Sequence, residues 1–87
     1  MAATKKPKPH IVAAAIIDAN NKMHTLPQPA RHASIRTQIY AQDSVPKTEG
    51  FLTNENDFVD RGEAGEIAFA AGQTRHRIGQ LTTLDLW

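Results

Sequence analysis

At 87 residues the chain suits one domain, burying roughly 60% of the surface its unfolded form would expose, and it contains no cysteine, which excludes disulfides, thiol catalysis and thiolate metal sites. No apolar run approaches the roughly 20 residues of a membrane span, and IVAAAIID is too short and too late to be a secretory core, so the chain is expected to be soluble and to work in the cytoplasm. The formal net charge of +1 hides an asymmetry: Lys5, Lys6 and Lys8 are three of ten basic residues, and the seven that remain face nine acids, leaving a body of charge −2.

Residues 1–10, with the Pro-rich TKKPKPH, read as a flexible basic leader, and residues 11–87 as a single α+β domain. IVAAAIID from Ile11 to Asp18, the turn-forming ANN and then KMHTL, in which Met23 and Thr25 alternate with His24 and Leu26, predict a β-hairpin. Three consecutive alanines would suit a helix by propensity, but the segment is short for one. Small side chains in a strand leave room for a helix to pack closely over it. LPQP then ends the strand, because proline cannot donate to a ladder.

A helix is expected from Ala30 to about Gln42, with Pro29 in its first turn. His32, Ile35 and Ile39 fall at i, i+3 and i+7 and share one face, while Arg31, Ser34 and Gln38 form the neighbouring stripe. DSVPKTEG reads as a loop. Phe51 to Thr53 and Asp57 to Val59 flank NEN and predict a second hairpin.

Asp60 opens the best-marked helix, DRGEAGEIAFAAG: Asp60 as cap, Glu63 to complete a capping box, Val59 and Ala64 as a hydrophobic staple. Ala64, Ile67, Ala68 and Ala71 follow a core-facing spacing and Gly72 suits a left-handed stop, while Gly62 and Gly65 each weaken the helix by about 1 kcal/mol relative to alanine. In the C-terminal tail a basic TRHR precedes Leu81, Leu84, Leu86 and a Trp87 that is expected to pack. The order ββα-ββα plus tail points to a small antiparallel sheet of two hairpins with two helices packed on it. The two halves share too little identity to be a repeat.

Five pieces, IVAAAI, LPQPARH, GFLTNENDFVDRGEA, IAFAAGQ and LTTLDLW, together resemble a family of short, uncharacterised proteins encoded in phages and prophages. The resemblance runs from Ile11 to Trp87 and implies a phage or prophage origin, a compact α+β fold and an accessory role during infection, with no established reaction. In that family a second histidine often follows ARH, where this chain has Ala33, which weakens a two-histidine site; DREEA is here DRGEA and SEDLW is TLDLW, changes that remove no catalytic group.

Chemistry leaves few candidates. His10, His24, His32 and His76 include no pair at the i, i+4 spacing of a helical metal site, although HTLPQPARH brings His24 and His32 close in sequence. The plainer role for His32 is structural, one ring face beside Ile35 and a nitrogen hydrogen-bonded. Ser34 and Ser44 lack nucleophile-elbow glycines, Asp57, Asp60, Glu63 and Glu66 suit turns and helix starts, and phosphate-loop and dinucleotide motifs are missing. No cofactor is called for and no enzymatic activity is expected.

Anion binding is the sharper alternative. Unpaired amides at a helix start favour phosphate, and Arg31 and His32 stand beside one such start, Arg61 at the other, with Arg75 and Arg77 in TRHR. Scattered, these are solvated charges or local ion pairs, Arg61 with Asp60 or Glu63; gathered, within one subunit or across a homo-oligomer, they form a phosphate pocket. Nucleic acid is not favoured, because the body is net acidic and lacks a basic stripe with interleaved aromatics. The expectation is therefore a noncatalytic phage accessory protein in the host cytoplasm that antagonises a bacterial defence. It would sequester a nucleotide-like signal or, alternatively, inhibit a host defence protein directly, mimicking an acidic ligand with Asp57, Asp60 and Glu66.

Overall fold

The computed structural model describes residues 9–87; the expected basic leader lies, as far as Lys8, outside the described residues. Its end is tied to the domain, since the His10 N–H donates to Asn54 Oδ1 at 2.8 Å and the Asn54 N–H to the His10 carbonyl at 3.0 Å. The chain then runs β1 (Ile11–Asp18), β2 (Met23–Pro27), α1 (His32–Ala41), β3 (Pro46–Thr53), β4 (Phe58–Asp60), α2 (Arg61–Ala70) and a short 3-10 turn at Thr83–Asp85. This is the α+β architecture with the ββαββα order that the residue pattern predicts. The four strands form one antiparallel sheet in the order β2-β1-β3-β4.

The β1–β2 turn is built by one carboxylate. Asp18 Oδ1 accepts the amides of Asn20 at 2.8 Å and Lys22 at 2.9 Å, while Oδ2 meets His24 Nε2 at 2.8 Å, so a buried acid and a buried histidine satisfy each other. The histidine bond and the Lys22 amide, against the cost of burial, hold the Asp18 carboxyl down at about 2. Asn21 takes the left-handed conformation (φ 63°) that asparagine tolerates.

β4 is shifted by one residue from the expected Asp57–Val59 and β2 runs on to Pro27, and two boundaries differ by more. α1 begins at His32, not Ala30, because the Ala30 amide is spent on the Pro27 carbonyl (3.1 Å) in a turn and Arg31 is extended at the N-cap; Pro29 lies before the helix, after a cis peptide bond. β3 begins at Pro46, inside the segment read as a loop. β1 offers eight residues of edge, and pairing Thr48, Glu49 and Gly50 with Ile17, Ile16 and Ala15 satisfies backbone groups that a loop would leave to water. Proline is acceptable there as the first strand residue.

Cross-strand partners share a sheet face, and the face of Ala14, Ile16 and Phe51 carries both helices. Ala14 and Ile16 pack with Ile35 and Ile39 of α1; Ile11, Phe51 and Val59 pack with Ala64 and Ala68 of α2 and with Leu81. Of the β1 alanines, Ala14 thus lets α1 pack closely, as its size implied. On the opposite face Ala13 and Ala15 are buried as well, and the Phe58 ring lies over Gly50, the cross-strand partner of Ala15.

α2 starts where its cap predicts, the Asp60 side chain accepting the Glu63 amide at 2.8 Å, and it stops with Gly72 at φ 77°. Gly65 is buried because the Ile78 carbonyl rests on it, 2.0 Å from where a Cβ would sit. Gln73 reaches back to clip the main chain of Ile11, Oε1 accepting its amide at 2.8 Å and Nε2 donating to its carbonyl at 2.9 Å. The tail folds onto this layer: Leu81 is fully buried, Trp87 joins the Phe51 cluster, and its indole N–H donates to the Ala30 carbonyl at 3.1 Å, the packing that a terminal tryptophan demands.

Candidate functional site

The tail and the start of α1 meet, and between them lies a concavity of about 310 Å³ lined by Arg31, His32, Ala33, Arg36, Arg61, Thr82, Thr83 and Leu84. Three of its residues are candidates named from the pattern, Arg31, His32 and Arg61. Arg75 and Arg77 do not line it. Arg75 is exposed, whereas Arg77 pairs with Glu66 at 3.4 Å and stacks over Phe69 at 5.2 Å from the ring centre.

Each arginine is held differently. The Arg31 side chain donates to Thr83 Oγ1 at 3.3 Å and, among the described residues, has no carboxylate partner. Arg36, one helical turn beyond His32, bonds Glu49 Oε2. Arg61 reaches Glu49 Oε1 at 2.6 Å rather than the Asp60 or Glu63 beside it in sequence, since Asp60 is occupied in capping α2. Burial works against ionising Glu49, but its hydrogen bond and attraction to Arg36, with His32 and Arg61 adding to them, hold its carboxyl below the usual range. Two guanidinium groups, those of Arg36 and Arg61, therefore share one carboxylate, and Arg31 stands outside that pair.

His32 lines the concavity from a buried position. It is 5% exposed, its Nε2–H donates to the Gly50 carbonyl at 2.7 Å, and its ring meets Phe51 edge-on at 5.0 Å and 85°. A carbonyl can only accept, so Nε2 carries the proton. Desolvation pushes the imidazole below its ordinary pKa, against the Gly50 bond and Glu49, which favour the cation. The hydrogen-bonded nitrogen matches the structural expectation for this histidine, while the ring contact shown is with Phe51 rather than the expected Ile35. It shares no metal cluster with His24: among the described residues no three histidine or acidic side chains come together to hold an ion.

The backbone adds donors. The first bond of the α1 region is Ser34 N–H to the Arg31 carbonyl at 3.1 Å, which leaves the amides of His32 and Ala33 ahead of the hydrogen-bonded run, and no acidic side chain occupies this first turn. A positive helix end, three arginines and the Thr83 hydroxyl together suit an oxyanion, the Thr82 hydroxyl being taken by Asp85.

The family profile described as Phage T4 y16D protein matches residues 10–87. The chain belongs to this phage family. No curated protein and no solved structure matches it. The family's reach, from His10 to Trp87, takes in every residue of the concavity.

Arg36, Glu49 and the tail residues Thr82, Thr83 and Leu84 escaped the sequence reading. Arg36 was detectable, lying four residues after His32 on the same side of the helix. Glu49 was hidden by the loop assignment. Nothing local marks the tail residues, whose place depends on Leu81 and Trp87 docking. The acids considered for ligand mimicry also separate: Asp60 caps α2, Glu66 meets Arg77, and Asp57 lines another concavity, of about 400 Å³, with Glu55 and Glu63.

Proposed function

We propose that this phage protein is a noncatalytic accessory factor acting in the host cytoplasm, where it antagonises a bacterial defence by sequestering a nucleotide-like, phosphate-bearing signal. The observation that carries the reading is that Arg31, Arg36 and Arg61 line one concavity at the start of α1, Arg36 and Arg61 sharing Glu49 while Arg31 has no carboxylate partner among the described residues. Arg31 is the guanidinium with no acid to displace, so it supplies the first grip on an incoming phosphate. Small size and the family's phage origin support the setting.

The test is thermal unfolding against a panel of linear and cyclic nucleotides. A bound signal at 100 times its dissociation constant stabilises the fold by about 2.7 kcal/mol, a rise on the order of 10 °C for a domain of this size, and Arg31→Ala abolishes the rise. No stabilisation by any member of the panel, together with co-purification of one host protein, rejects sequestration in favour of direct inhibition of a defence protein. Chromatography of the same nucleotides after incubation tests the noncatalytic part, which any new product would overturn.

A further inference from the structure

We infer that the concavity selects a ligand with a single phosphate group joined to a planar apolar moiety, as in a nucleoside monophosphate, and that Leu84 is the residue that recognises the second part; the inference rests on the anion-binding reading above. Charge limits the phosphate. Arg31, Arg36 and Arg61 less Glu49 leave a formal charge of +2, which one phosphate monoester, at about −1.5 to −2, balances. A triphosphate would bring charge that nothing else in the lining meets, and about 310 Å³ is at the small end of ligand pockets.

The apolar half follows from Leu84. It lines the same concavity and is 79% exposed, the most exposed large apolar side chain among the described residues. It is not exposed by fraying. Its neighbours are fixed: Thr83 is buried, the Asp85 carboxylate accepts from the Thr82 amide at 2.9 Å and hydroxyl at 3.0 Å, and the Trp87 amide donates to the Thr83 carbonyl at 2.8 Å. A leucine held in water by an anchored turn, at the lip of a cationic hollow, offers a flat apolar group a surface to cover. The phosphate on the arginines and the ring on Leu84 would then fix both ends of one small molecule.

Titration calorimetry on the full chain, with inorganic phosphate, the four common nucleoside monophosphates and adenosine triphosphate, distinguishes the parts. The expected result is that at least one monophosphate binds more tightly than phosphate, the triphosphate no more tightly than its monophosphate, and Leu84→Ala weakens the monophosphate about tenfold while leaving phosphate unchanged. Monophosphate binding that depends on Arg31 but is indifferent to Leu84→Ala overturns this inference and leaves the anion site standing. Absence of any binding that Arg31→Ala removes overturns both.

Discussion

Asp18 and His32 place the acid sensitivity of the fold in two separate ranges. Asp18 is held at about 2, below its value in an unfolded chain, so its contribution is complete above about pH 4 and is lost as pH falls toward 2. Its replacement, Asp18→Asn, should lower stability at neutral pH and flatten the pH dependence below 4 in denaturant titrations. His32 acts at higher pH: with its folded pKa below 6.5, the unfolded chain binds the proton more readily, so stability falls as pH drops from about 6.5 through the folded value. His32→Gln, which keeps an N–H for the Gly50 carbonyl, should remove much of the slope below pH 6.5. An unchanged slope would mean that another group carries it.

Two glycines of α2 behave oppositely under the same substitution. Propensity alone favours alanine at both by up to about 1 kcal/mol. At Gly65 the new methyl would stand 2.0 Å from the Ile78 carbonyl, so packing decides and Gly65→Ala should cost about 2 kcal/mol in urea unfolding. At Gly62 the nearest atom is Asp60 Oδ1 at 3.5 Å, and Gly62→Ala should be neutral or stabilising by about 0.5 kcal/mol. The departure DRGEA is therefore not forced by packing.

At the scale of elements, the tail is the strut of the candidate site. Trp87→Ala removes the bond to the Ala30 carbonyl and part of the Phe51 cluster, and should destabilise by about 2 kcal/mol while also loosening the Arg31–Thr83 contact. Nuclear magnetic resonance would show the coupling as shifts at Arg31 and Ala33. Which elements were legible from the residues follows the same logic. Strand β1, the cap of α2 and the stripe of His32, Ile35 and Ile39 were readable because their signals are local: a period, a cap, a stop. The start of β3 was not, since Lys47, Thr48 and Glu49 become strand only because β1 lies alongside to pair with them. Glu49's hold on Arg36 and Arg61 followed from that pairing and was hidden with it. For Arg31 and Arg61 the helix starts gave the clue; that they meet is tertiary.

For the whole molecule, the two helices on one face and the tail beneath them make the site a property of the complete fold. The side chain of Gln73 illustrates this. By receiving the amide of Ile11 and returning a hydrogen to its carbonyl, it acts as a strand partner of one residue, joining positions 62 apart. The first residue of β1 therefore cannot open to solvent without releasing the side chain of Gln73, three residues beyond the end of α2. In hydrogen exchange, the Ile11 amide should be protected to the same free energy as the interior of α2, and Gln73→Ala should lower Ile11 alone. Such a result would make the sheet's first residue and its last helix one foldon, closed by an amide side chain rather than by an apolar contact.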